Sequence, residues 1–151
     1  MDELLSNTLA DREYQRACQE LENGKVLAAL ARLEAALRLQ DHPAWYSLLG
    51  FCVAKERGHL KRGEELCRDC IARQPHLPGH YYFLSRVMLL SGRKEEALQT
   101  LRQGLAQGDS SVIKALLQEL GVRKPPPIAW LHRDHPLNKY LGLVLTRLRL
   151  R

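Results

Sequence analysis

The chain has few aromatic residues, few cysteines and no long apolar run. Of its 151 residues, 6% are Phe, Trp or Tyr, and 4 are cysteine. No apolar stretch reaches the roughly 18 residues that a membrane-spanning helix needs. The first residues, MDELLS, are acidic where a secretory signal would be basic, so we expect neither export nor disulfides. At this length the composition predicts one cytoplasmic domain.

The sequence also lacks the patterns that carry catalysis or hold a cofactor. It contains no nucleophile with a neighbouring base, no phosphate-binding glycine loop and no paired catalytic carboxylates. Two histidine pairs could each offer two imidazoles to a metal ion: His76 with His80, and His132 with His135. Neither pair has a third ligand at a suitable spacing, so we interpret all four as solvated loop histidines. We therefore predict no enzymatic activity, no cofactor and no metal site.

What the sequence does contain is an internal repeat. Gly24, Gly58 and Gly92 are 34 residues apart, and small or apolar residues follow each of them at matching offsets. The residues five positions after the glycines are Ala29, Gly63 and Ala97. Those nine positions after are Leu33, Cys67 and Leu101, and those twelve positions after are Ala36, Cys70 and Gly104. These offsets follow one face of an α-helix. The glycine allows the chain to leave one helix with a positive φ and to enter the next.

Two of the cysteines form a Cys67-x-x-Cys70 motif, a spacing that also occurs in metal-binding and redox sites. In the other two units the first of these positions is leucine and the second is a small residue. We therefore predict that both cysteines fill space in the core. Cys18 and Cys52 stand apart and do not form a second pair, so we expect no four-cysteine zinc site.

A further helix precedes each glycine, with its own pattern of an aromatic, an apolar and a small residue. In the second unit these residues are Tyr46, Leu49 and Gly50. The whole unit closely resembles the tetratricopeptide repeat (TPR), whose turn glycine corresponds to Gly58 and whose closing proline corresponds to Pro75. The resemblance covers roughly two-thirds of the chain. It implies an all-α fold, a right-handed superhelical array of antiparallel helix pairs.

The repeat divides the chain into a TPR-like domain over residues 1–121 and a tail. We predict units at about 9–41, 43–75 and 78–109, and a capping helix at about 110–120. The second helices of the units are predicted at about 25–39, 60–73 and 94–107. Thr8 with Asp11 resembles a helix N-cap, which places the first helix start near residue 9. The aromatic residue lies 10, 12 and 11 residues before the three glycines, so the register of the first two units is defined to within one residue.

The tail, residues 122–151, holds the net positive charge. Residues 110–151 carry 8 basic and 2 acidic side chains, a net charge of +6, whereas residues 1–43 carry 5 basic and 8 acidic ones, a net charge of −3. The prolines predict an extended linker over 122–135, and the apolar spacing predicts a basic amphipathic helix over 136–151. With Trp130, Leu131 and Tyr140 as candidate anchors, this tail could fold back on the repeats, bind a partner protein or lie on an anionic membrane surface.

In the TPR family the first helix of each pair lines the concave side of the superhelix. The resemblance therefore implies a groove along the strip beside the buried face of those helices: Gln15, Gln19, Ser47, Phe51, Lys55, Tyr82, Arg86 and Leu89. Aromatic side chains flanked by cations and amides suit an extended peptide or a helix. An equal alternative is that Phe51 and Tyr82 pack between units.

The resemblance implies a non-enzymatic adaptor, scaffold or chaperone-like module that binds a peptide or helix of another protein. The family's clamp for a C-terminal carboxylate needs Lys, Asn and Arg where this chain has Gln15, Gln19, Leu48, Gly79 and Phe83, so we do not expect that activity. One alternative is a membrane-peripheral assembly factor held by the basic C-terminal helix. RNA binding is the weaker alternative, because residues 1–109 together carry no net charge. The sequence leaves the oligomeric state open.

Overall fold

The computed structural model describes residues 2–121, which form helices joined by short turns. The helices are α1 (Asp2–Glu22), α2 (Val26–Leu39), α3 (Tyr46–Arg57), α4 (Leu60–Arg73), α5 (Pro78–Leu90), α6 (Lys94–Gln107) and α7 (Ser111–Gly121). None of these described helices is both long and apolar enough to cross a membrane. The predicted linker at 122–135, the predicted helix at 136–151 and the anchors Trp130, Leu131 and Tyr140 lie outside the described residues.

Each helix pair turns at a glycine with a left-handed backbone. Gly24, Gly58 and Gly92 have φ angles of 75°, 68° and 74°. No atom lies within 4 Å of the place that a Cβ would take at these glycines, so the backbone conformation itself requires glycine there. After α1 and after α5 the turn closes with two backbone bonds of the Schellman type, for example from Lys25 N to Glu20 O at 2.9 Å. The three glycines therefore occupy equivalent bends, as the 34-residue period predicts.

Small residues bring the two helices of a pair into close contact. In the second unit Gly50 of α3 faces Gly63 of α4, and a Cβ on Gly50 would lie 2.6 Å from the carbonyl oxygen of Gly63. Because real Cβ atoms do not approach an oxygen so closely, any side chain here would force the helices apart. Ala29 and Ala97, at the equivalent places of the other units, are fully buried. Packing thus explains why the residue five positions after each turn glycine is small.

The core runs between successive helix pairs. α1 packs on α2, α3 on α4 and α5 on α6, while α3 also contacts α2 and α5. The largest fully buried apolar side chains are distributed over all the units: Leu30, Leu33, Leu48, Phe51, Val87, Leu101 and Ile113. Each pair therefore hides apolar surface that it could not bury alone. Ile113 of α7 lies against α6, because a Cβ on Gly104 would come within 2.9 Å of its Cδ1.

The helix boundaries agree with the predictions in the later units and differ in the first. α4 and α6 match the predicted ranges 60–73 and 94–107. α1, however, begins at Asp2, so the predicted start near residue 9 is wrong. Thr8 lies inside α1, where its hydroxyl donates to the carbonyl of Leu5 at 2.9 Å and caps no helix start. A 3-10 turn, Pro43–Trp45, precedes α3, which begins at Tyr46.

Candidate functional site

A cavity of about 450 Å³ opens between the first helices of the outer two units. One side is formed by the end of α1 and the turn into α2, the other by α5, and α7 contributes one residue. The lining residues, which we call the α1–α5 groove, are Cys18, Leu21, Glu22, Gly24, Val26, Tyr82, Phe83, Arg86 and Val112. Most of these side chains are apolar or aromatic, and two are charged. The groove therefore offers a concave apolar surface of the kind that holds ligands or peptide segments.

Arg86 is held in the groove wall by aromatic rings. Its guanidinium carbon lies 4.6 Å from the ring centroid of Phe51 and 5.6 Å from that of Tyr82. Its Nη1 donates a hydrogen bond of 2.7 Å to the Tyr82 hydroxyl oxygen. Phe83 completes the cluster, with its ring centroid 6.1 Å from Phe51 and 5.2 Å from Tyr82. These contacts fix the position of the cation, and a cation–π pair of this kind contributes about 0.5–2 kcal/mol.

The charges of the groove are not neutralised by neighbours in the described part of the chain. Within residues 5–121 no carboxylate lies within 4.0 Å of the Arg86 guanidinium. Glu22, on the α1 side, is exposed and likewise has no ion-pair partner in that range. The groove thus presents one cation on the α5 side and one carboxylate on the α1 side, with apolar side chains around both.

The structure places the eight predicted groove residues in three environments. Gln15, Gln19 and Lys55 are exposed. Tyr82, Arg86 and Leu89 are half-buried, and Ser47 and Phe51 are buried. Ser47 and Phe51 are 2% and 1% exposed, so the prediction that they offer binding surface is wrong. Both residues face α5, and the Arg86 guanidinium of that helix lies over the Phe51 ring. Phe51 therefore packs between units, as the alternative predicts for it. Tyr82 and Arg86 are the predicted residues that line the groove.

Sequence reasoning missed the contributions of the first turn and of α7. Leu21 and Val26 flank the turn glycine of the first unit, and neither is among the predicted groove residues. Val112 and Ile113 belong to one apolar stripe, yet Ile113 is fully buried and Val112 is 53% exposed on the groove. Adjacent residues of an α-helix point about 100° apart, so Val112 can lie at the groove while its neighbour Ile113 is buried.

A buried polar cluster joins α3 to α5 at the start of both helices. His80 Nδ1 lies 2.9 Å from the Ser47 hydroxyl oxygen, and His80 Nε2 lies 3.2 Å from Gln74 Oε1. His80 is 3% exposed, so its predicted place in a solvated loop is wrong, whereas His76 is exposed. The histidine falls in the first turn of α5, which begins at Pro78 and points this side chain at α3. Burial lowers the pKa of His80, and the nearby charge of His76 lowers it further.

The Cys67-x-x-Cys70 pair fills core space, as predicted. Cys67 is fully buried and its Sγ lies 3.4 Å from the Ser47 carbonyl oxygen, while Cys70 Sγ lies 3.4 Å from that of Pro43. Burial raises the pKa of both thiols, which favours their protonated form. Across residues 5–121, no three His, Cys, Asp or Glu side chains lie close enough together to hold a metal ion.

A second cavity, of about 260 Å³, lies beside α4. Arg62 and Arg73 line it together with Asp41 and Asp69, so its cations and carboxylates balance. Asp41 also accepts a hydrogen bond of 2.7 Å from the Tyr46 hydroxyl. This cavity is smaller and more polar than the α1–α5 groove, and its lining holds two cations and two carboxylates. The α1–α5 groove is therefore the better candidate for a binding site.

Comparisons with known proteins bear on the fold. No protein-family model and no curated protein matches the chain. Among solved structures, a mutant O-GlcNAc transferase of Thermobaculum terrenum matches 80% of the chain at 21% identity and a TM-score of 0.62, and the chain spans 24% of the length of that protein. The Sgt2 TPR domain from Aspergillus fumigatus matches 74% of the chain at 14% identity and a TM-score of 0.57, over 76% of that domain. Both likenesses confirm the helical-repeat fold that the sequence predicts.

Proposed function

We propose that this tetratricopeptide-repeat-like chain binds a segment of another protein in the α1–α5 groove. The observation that carries the proposal is the groove itself, a cavity of about 450 Å³ with an aromatic wall on α5 and an apolar wall at the α1–α2 turn. Val112 leaves 53% of its surface exposed at the edge of this cavity. Apolar and aromatic groups that converge in a concave surface are typical of sites for a helix or an extended peptide.

The proposed role is that of a non-enzymatic adaptor, scaffold or chaperone-like module. Arrays of stacked helix pairs commonly present an extended concave surface for binding. In this chain the groove residues are apolar, aromatic or singly charged, and their arrangement favours recognition of a polypeptide over chemistry on a small substrate. The cytoplasmic location and the absence of a cofactor stay predictions. The membrane-peripheral alternative depends on residues 122–151, outside the described residues, and it also stays a prediction.

The test uses the full chain and a random peptide display library as the probe. Val112→Arg should block the groove, because this half-exposed side chain lines it and α7 can carry an arginine there without burying a charge. Ala115→Arg is the matched control, since Ala115 is exposed on the same helix and does not line the groove. We expect the wild type and Ala115→Arg to enrich a common set of peptides, and Val112→Arg to bind them at least tenfold more weakly.

Two results would overturn the proposal. One is a library selection that enriches no peptide on the wild-type chain. The other is a set of enriched peptides that binds Val112→Arg as tightly as it binds Ala115→Arg, since those peptides would then lie elsewhere on the surface. Circular dichroism melts of both variants confirm that each is folded before the affinities are compared.

A further inference from the structure

We infer that the segment bound in the α1–α5 groove carries an acidic side chain, Asp or Glu, which pairs with Arg86 and is flanked by bulky apolar residues. The inference rests on the proposed function and adds the chemistry of the partner. It commits to an internal acidic side chain of a protein segment.

Arg86 differs from the other half-buried arginine of the described chain. Among the arginines of residues 5–121, Arg86 and Arg93 are half-buried and the rest are exposed. Arg93 bonds two carboxylates, those of Glu64 and Glu96. Arg86 has no carboxylate within 4.0 Å in the same range. A cation that is partly removed from water gains more from an opposite charge than an exposed one does, because the local dielectric is lower.

The guanidinium of Arg86 is positioned to receive a carboxylate. Its face is covered by the Phe51 ring at 4.6 Å, and one N–H is used by the Tyr82 hydroxyl. A guanidinium has five N–H donors, and their planar fork matches the two oxygens of one carboxylate. The aromatic contacts already fix this side chain, so Arg86 itself loses little additional rotamer entropy when a partner binds.

The surroundings of Arg86 define the neighbours of the acidic residue. Phe83 lies on the same helix, and Leu21, Val26 and Val112 form the remaining apolar walls of the groove. A partner segment must bury apolar side chains against these walls to gain free energy on binding. Glu22 on the α1 side repels a second acidic residue there, since like charges across an interface oppose binding. The groove therefore fits one acidic residue beside apolar residues and does not fit a polyacidic segment.

The test extends the library selection on the full chain. We expect the enriched peptides to contain Asp or Glu next to Leu, Ile, Phe or Met more often than the unselected library does. An enriched peptide is then compared with its amide analogue, in which that Glu or Asp becomes Gln or Asn. Fluorescence anisotropy measures Kd for both peptides on the wild type, on Arg86→Gln and on Arg102→Gln. Arg102 is the matched control, because it is exposed on α6 and does not line the groove.

On the wild type and on Arg102→Gln, the amide analogue should bind about tenfold more weakly than the acidic peptide. On Arg86→Gln the Kd values of the two peptides should agree within about twofold, because the guanidinium that pairs with the acidic side chain is absent. Should Arg86→Gln fail to fold, the acidic and amide peptides are compared on the wild type at low and at high salt. The acidic peptide should then lose its advantage as salt screens the pair.

Three results would overturn the inference alone and leave the proposed function standing, and a fourth would remove both. Enriched peptides that depend on Val112 but show no preference for acidic residues would refute the partner chemistry and leave groove binding intact. The same follows if Arg86→Gln still prefers the acidic peptide about tenfold, or if salt leaves that preference unchanged. A selection that enriches no peptide at all removes both the inference and the function on which it rests.

Discussion

Gly63→Ala tests the close contact between α3 and α4 of the second unit. The equivalent contact in each repeat requires a small residue. An added methyl group at Gly63 would meet the carbonyl oxygen of Gly50 and would lie 2.8 Å from the Cβ of Ala54. The first of these atoms belongs to a helix backbone, so it cannot turn aside as a flexible side chain would. Overpacking of this kind costs about 1–3 kcal/mol, and the backbone neighbour places this site at the upper end of that range.

The helix propensity of alanine offsets part of this cost. Alanine is more favourable than glycine by about 1 kcal/mol in a helix interior, so the expected net loss of unfolding free energy is about 2 kcal/mol. Gly79→Ala is the matched control, because Gly79 lies in α5 with no atom within 4 Å of an added Cβ. The control should be unchanged or slightly more stable.

Urea denaturation monitored by circular dichroism measures both variants. We expect the midpoint of Gly63→Ala to fall well below that of the wild type, and the midpoint of Gly79→Ala to stay at or above it. If Gly63→Ala is as stable as the wild type, the two helices do not touch at Gly50. If Gly79→Ala falls by as much as Gly63→Ala, the loss reflects the substitution of glycine in general and not the contact.

Three further predictions concern buried or half-buried side chains. Ala97→Asp should lower the unfolding free energy by about 3 kcal/mol or more, because Ala97 is fully buried, while the exposed Ala106→Asp should be nearly neutral in a thermal melt. Arg86→Ala should lower Tm less than Ala97→Asp does, since it removes two cation–π contacts and one hydrogen bond, together about 1–2 kcal/mol; the opposite order would contradict the orientation of α5. The lowered pKa of His80 means that the unfolded chain binds the proton more tightly, so stability present at neutral pH should be lost as the pH falls below about 6.5. In urea melts across that range His80→Gln should show a smaller pH dependence than His76→Gln, and equal slopes would assign the effect to other groups.

The turns and the helix contacts of the fold could be predicted from the sequence because they depend on local backbone requirements. A positive φ at Gly58 and a close helix approach at Gly63 each exclude most residue types, so the same choices recur every 34 residues. The start of α1 could not be predicted in this way. Leu5 and Leu9 are 57% and 48% exposed, so they form no buried periodic face. Thr8 and Asp11 have the spacing of a helix N-cap, although Thr8 lies inside α1.

The candidate site was only partly predictable, because it depends on contacts between units. Tyr82 and Arg86 were placed from the helix face alone, and both line the groove. Phe51 also lies on the predicted groove face of its helix, α3, but α5 packs over it and buries it. The contribution of Val112 depends on where α7 lies relative to α5, and that position is set by the packing of all the helices. Local periodicity carries no information about such long-range geometry.

The most direct test of the account is a photo-crosslinking experiment on the groove. The full chain carries p-benzoylphenylalanine in place of Val112, or in place of Ala115 on the same helix, and is irradiated with a peptide selected from the library. We expect a crosslink from position 112 that an excess of unlabelled peptide abolishes, and little or none from position 115. Equal crosslinking from both positions, or crosslinking from position 115 alone, would contradict binding in the α1–α5 groove.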